Sequence, residues 1–173
     1  MEVKEGQGFL TDHYDPKNKV VVLSPANYSR PSVAGTAIAA HEVGHAIQDY
    51  QGYFFLRFRS ALVPVANLGS SLSYIFIMAG IVLTGLQMAI GSTALWIGIF
   101  LMAFAVLFSI VTLPVEFDAS KRAMNQIQKL NIVNEKEYKH AGRVLRAAAM
   151  TYVAATAVAV AELLRFILIA RSS

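Results

Sequence analysis

From Ser60 to Val115, 56 consecutive residues, the chain carries no Asp, Glu, Lys, Arg or His. A helix of a soluble domain turns one face to water and places charge there, so an uncharged run of this length excludes a simple globular protein. The run fits a bilayer. About 20 helical residues, each rising about 1.5 Å, cross a hydrocarbon core about 30 Å thick. Two stretches inside it are long enough, Ala61 to Leu86 and Thr93 to Leu113. The link between them, Gln87 to Ser92, is short and holds Gly91, so the two spans are expected to form an antiparallel hairpin. Both outer ends then return to one side of the membrane. A third apolar stretch, Ala147 to Ala170, is interrupted by Glu162 and Arg165.

The remaining segments read as water-facing. The opening MEVKEGQG is polar with two Glu, and is neither a signal peptide nor a transit peptide. Apolar runs at Phe9-Leu10 and Val20 to Leu23 flank Asp15, Pro16 and Asn18, which predicts a small hairpin or a loop and a strand. From Pro31 to Gln51, Ala34, Ala37, Ile38, His41, His45 and Gln48 recur at spacings of three and four, which predicts a helix. Ser29 or Ser32 suits its cap, Pro31 its first turn and Gly52 the position past its end. After Pro114 a helix is expected over Val115 to Leu130, then a turn at Asn131 to Asn134. A further helix from Glu135 runs into the third apolar stretch. The expected fold is therefore a single, mainly α, integral membrane domain over 1–173, with a small N-terminal β element and about three transmembrane helices. Its segments are a β element over 1–28, a helix over 29–52 and a transmembrane hairpin over 61–113. Further helices over 114–146 and a last span over 147–170 follow.

The chain has no cysteine, which excludes a disulfide framework, a thiolate metal site and a thiol nucleophile. Its net charge of +4 is modest and comes without a basic run or a stacking-aromatic motif, so nucleic acid is not an expected partner. The bilayer is.

His41-Glu42-Val43-Gly44-His45 is an HExxH sequence on the predicted helix. Residues four apart share a helix face, so two imidazoles can hold one ion, and the Glu between them can take a proton from a metal-activated water. A chain of this composition meets the pattern by accident about 0.004 times, which argues against two ordinary half-buried histidines. Gly44 leaves room for a close approach at the helix surface. Zinc needs a third protein ligand. His13, His140, Asp49, Glu116 and Asp118 are candidates. The hairpin returns the chain at Pro114, and Glu116 is the first carboxylate met there. This selects His41, His45 and Glu116 over the reading of Glu116 as a plain helix-start carboxylate. Imidazole and carboxylate suit zinc, and would also accept cobalt or manganese.

At these residues the sequence resembles the bacterial membrane-embedded neutral zinc metallopeptidases of the YugP type. LTDHYDP, AAHEVGHAIQ, PVEFDAS and LRAAAMTYVA carry the resemblance over nearly the whole chain. In site logic it is similar to the HtpX-like membrane proteases. The resemblance implies a helical, gluzincin-like core, one Zn2+ per chain held by His41, His45 and Glu116, and peptide-bond hydrolysis with Glu42 as general base. Two departures stand out. Members are expected to carry another membrane helix ahead of LTDHYDP, so this chain reads as a short homologue or a fragment. HtpX-like proteases place an Asp four residues past the third ligand, where this chain has Ser120, with Asp118 two residues past it. The partner of the histidines is therefore left open.

The expected function is a membrane zinc endopeptidase acting on peptides or membrane proteins. The alternative is a non-catalytic membrane scaffold or assembly factor that keeps a zinc site. A transporter is disfavoured because the two uncharged spans offer an ion no ionisable group. The strand Val20 to Leu23 reads either as a place for an extended substrate to pair or as a plain structural strand. His140, Arg143 and Tyr152 are possible oxyanion donors, each with a stronger reading as a solvated or interfacial residue. His13 reads as part of a polar turn rather than a second metal site, and Glu162 with Arg165 as an interfacial ion pair. Arg57, Arg59, Lys121, Arg122, Lys129, Arg143 and Arg146 all fall on the HExxH side, with Arg171 alone opposite. The positive-inside rule places the site on the cytoplasmic face of the cell membrane.

Overall fold

A computed structural model describes residues 1–172. The chain is mainly helical. In order it forms β1 (Glu2–Glu5), β2 (His13–Asp15), β3 (Val20–Leu23), α1 (Pro25–Ser29), α2 (Val33–Tyr50), α3 (Phe54–Gly85), α4 (Ile90–Lys129) and α5 (Glu135–Ser172). Packing divides it into two compact units. One comprises Met1–Arg57 with Leu113–Thr151, and the other Phe58–Thr112 with the chain from Tyr152 onward.

The first unit opens on a three-stranded sheet in the order β1-β3-β2, with β1 parallel and β2 antiparallel to β3. The run Val20–Leu23 is apolar because it is the central strand, and Val20, Val21 and Leu23 are buried. The antiparallel partner of this run is His13–Asp15 rather than the Phe9-Leu10 segment, whose two side chains are exposed. Asp15 shapes the turn between them by accepting hydrogen bonds from the Lys17 and Asn18 backbone N–H groups and from the Asn18 amide. With both its edges paired, β3 has no backbone left for a substrate, which corrects that expectation.

Helix α2 starts where Ser32 Oγ accepts a hydrogen bond from the Gly35 N–H at 2.9 Å. Pro31 therefore precedes the cap instead of lying in the first turn. The helix stops before Gly52, which takes a left-handed φ of +64°. One face of α2 buries Ala37 against Ala123 and Ile127 of α4 and Ala141 and Leu145 of α5. Gly44 lies on the same seam, and a Cβ there would collide with the Ala119 backbone carbonyl. Helix α4 runs without a break through Pro114, where the sequence predicted a boundary. Proline removes one helical hydrogen bond, but its fixed φ is itself helical, and Val111 and Val115 on either side of it are buried in the continuous helix.

In the second unit, Ile77, Leu95, Ile99, Met102, Val106 and Phe166 form a core shared by α3, α4 and α5. Gly98 brings the first two together, because a Cβ there would press on the Ile77 amide and the Ser73 carbonyl at 2.7 and 2.8 Å. Small residues at helix crossings are what a bilayer interior favours. Leu68, Ile75, Phe100 and Leu168 lie exposed on the outer surface, as lipid-facing side chains would. Three helices, α3, α4 and α5, are long and apolar enough to cross a membrane. Glu162 accepts a hydrogen bond from the Tyr74 hydroxyl at 2.6 Å and pairs with Arg165 at 3.4 Å, so the expected ion pair forms and also joins α5 to α3.

Candidate metal centre

The site lies in the first unit, between α2 and the part of α4 that follows Pro114. Helical geometry alone puts His41 and His45 on one face of α2, with ring centroids 4.7 Å apart. The approach of α2 to α4 at Gly44 then sets Glu116 against them. Glu116 Oε2 lies 3.1 Å from His41 Nε2 and 3.7 Å from His45 Nε2. The three side chains are largely buried, at 15%, 11% and 4% exposed. They form the one group of three or more His, Asp or Glu among the described residues that could hold a metal ion, with ligand atoms all within 4.8 Å of one another.

The donor set fits zinc. Two ligand atoms about 2.0–2.1 Å from a tetrahedral ion stand about 3.3 Å apart. The two separations from Glu116 bracket that value. Two neutral imidazoles and one carboxylate also leave a tetrahedral ion one open position.

The outward nitrogens of both rings are held as well. His41 Nδ1 lies 3.2 Å from Ser120 Oγ, and His45 Nδ1 lies 3.0 Å from Gln48 Oε1. The open question about the histidines' partners is thus answered by two neutral side chains. Ser120 stands four residues past Glu116 on α4. Asp118 meets the site only indirectly, through Gln48 Nε2 at 2.9 Å, and pairs with Arg122. Gln48 was legible only as one more position on the apolar face of α2. Its signal was its place three residues beyond His45, on the histidines' own side of the helix.

Glu42 is 8% exposed. Burial holds its carboxyl above the ordinary carboxylate value, against the pull of His45 and His41, and its carboxylate accepts a hydrogen bond from the Tyr14 backbone N–H. His45 is pushed down by burial, yet its hydrogen bond and attraction to Glu116 more than reverse this and leave it above the ordinary imidazole value. The other candidate ligands lie elsewhere. Asp49 accepts from the Tyr14 hydroxyl and pairs with Lys19. His13 and His140 are exposed, and their Nδ1–H groups donate to the Thr11 and Lys136 carbonyls. Arg143 is exposed.

Three bilayer-length helices and a buried cluster of two imidazoles with a carboxylate define a membrane protein with a candidate metal centre. The chain belongs to the family described as "Putative neutral zinc metallopeptidase", whose model matches residues 1–171. It is 41% identical over 167 residues to "Putative membrane protease YugP" of Bacillus subtilis (strain 168), an alignment covering 96% of this chain and 72% of that protein. No solved structure matches the chain.

Proposed function

We propose that the protein is a membrane-embedded zinc-dependent endopeptidase, with His41, His45 and Glu116 as metal ligands and Glu42 as general base. The observation that carries this reading is the meeting of two Nε2 atoms and one carboxylate oxygen at 3.1 and 3.7 Å. Zinc, when bound, supplies a Lewis acid that polarises the scissile carbonyl and makes a water acidic enough to attack near neutral pH. Glu42 takes the proton of the attacking water and returns it to the leaving amine. A carboxyl whose proton affinity is raised by burial suits a group that must hold a proton between those two steps.

An extended peptide can add main-chain hydrogen bonds to an edge strand, and β2 is the edge strand whose backbone reaches Glu42. A peptide lying along β2 would pass the base. The apolar helices favour membrane proteins or membrane-proximal peptides as substrates. The concentration of Lys and Arg on the HExxH side favours a cytoplasmic site.

The test is Glu42→Gln in purified, detergent-solubilised protein with a peptide-release assay. The reading expects about one zinc per chain in both forms, and a cleavage rate lower by about 10²- to 10⁴-fold in the variant. Cleavage undiminished in the variant would remove Glu42 from the base role. Zinc without cleavage in either form, with the cellular phenotype of the variant unchanged, would favour a scaffold.

A further inference from the structure

We infer that Gln48 is a positioning residue that fixes the tautomer of His45 and so aims its Nε2 at the metal, an inference resting on the metal-centre reading above. Gln48 is fully buried, an uncommon place for an amide side chain. Its nitrogen lies 2.8 Å from the Val115 carbonyl and 2.9 Å from Asp118 Oδ2. Both neighbours only accept hydrogen bonds, so this end of the amide is the NH₂ group and its two donors are fully used. The orientation of the amide follows, and with it the identity of the atom facing His45. Oε1, 3.0 Å from His45 Nδ1, accepts, so Nδ1 carries the proton. The lone pair of the neutral ring is then on Nε2, the atom that faces Glu116.

The orientation is anchored at its far end. Arg122 pairs with Asp118, donates to Gln51 Oε1 and stacks over the Tyr53 ring at 5.6 Å. A chain of contacts therefore leaves α2 at His45 and Gln48, crosses to α4 at Asp118 and Arg122, and returns to Gln51 at the end of α2. The acceptor presented to the imidazole is neutral. A carboxylate there would draw the Nδ1 proton toward itself and make the ring a stronger donor to the metal. With an amide the ring donates less, and the bound ion keeps more of its Lewis acidity.

Ring ¹⁵N NMR of the four histidines, on zinc-loaded and metal-free protein in detergent, reads the tautomer directly. The inference expects His45 protonated at Nδ1 and metal-bound at Nε2 when loaded, and protonated at Nδ1 in metal-free protein in alkaline buffer. Zinc titrated against a chromophoric chelator supplies the second readout. Gln48→Leu should weaken zinc binding by about 10- to 100-fold. Asp118→Asn, whose amide oxygen still accepts from Gln48, should weaken it by at most about threefold. A His45 proton on Nε2 overturns the inference. So does a Gln48→Leu protein that melts earlier but binds zinc within about twofold of wild type, since that is a packing role alone. If Gln48→Leu does not fold, the wild-type tautomer decides. If the wild type takes up no zinc, the metal-centre reading fails, while the alkaline tautomer still tests the role of Gln48.

Discussion

At the scale of single residues, the proposed chemistry depends on where protons sit. His45 is held above the ordinary imidazole pKa of 6.5 by Glu116. In metal-free protein its charged pair with Glu116 therefore contributes stability that is fully present below about 6.5 and is lost as pH rises through the raised value. Metal binding works against the same proton, because a ligating imidazole must be neutral. Zinc affinity should climb with pH until His45 is fully deprotonated, later than for an unperturbed histidine, with proton release on binding. Chelator competition across pH 5 to 9 measures this. An affinity that does not vary through the histidine range would contradict it. The residues also differ in how far the sequence could reveal them. His41, Glu42 and His45 were legible because their spacing is a property of one helix. Gln48 and Ser120 were not, because what makes them matter is α4 packed against α2.

At the scale of elements, the seam between α2 and α4 sets the site. Gly44→Val would drive a side chain into the Ala119 carbonyl, and backbone cannot yield as a side-chain tip can. The expected cost is about 1–3 kcal/mol, with zinc binding weakened because both histidines move with α2 away from Glu116. Thermal unfolding in detergent with parallel zinc titration checks it, and a variant matching wild type in both would refute the seam's role. Ser32→Ala removes only the cap and should cost about 1 kcal/mol while leaving zinc affinity alone. The helices followed from the sequence where apolar spacing or length was decisive, as in α2 and the three long spans. Three short elements escaped: β2 is a strand where the sequence reads a polar turn around His13. Every residue of strand β1 is exposed and only Val3 is apolar, so no alternation betrays it, and pairing with the apolar β3 makes it a strand. Helix α1 is one turn with no buried residue. At Pro114 the local rule pointed to a break that tertiary packing overrides.

At the scale of the whole molecule, the proposal needs α3 and α4 to cross the bilayer and bring Glu116 back. The absence of native cysteine makes this testable with single introduced thiols. A cysteine at Gln87, in the link between the two helices, should label with an impermeant reagent from the side opposite to one at Lys129. Labelling of both from one side would contradict a spanning pair. The fold class was legible because uncharged length is a global property that a bilayer reads directly. The pairing of a carboxylate at 116 with imidazoles 71 and 75 residues earlier (116 − 45 and 116 − 41) was legible only through the assumption that a hairpin returns. The most direct test of the account is therefore the zinc content of purified wild type beside Glu116→Ala. About one zinc per chain in the wild type and a large loss in the variant is the predicted result. An equal zinc content in the two proteins would contradict it.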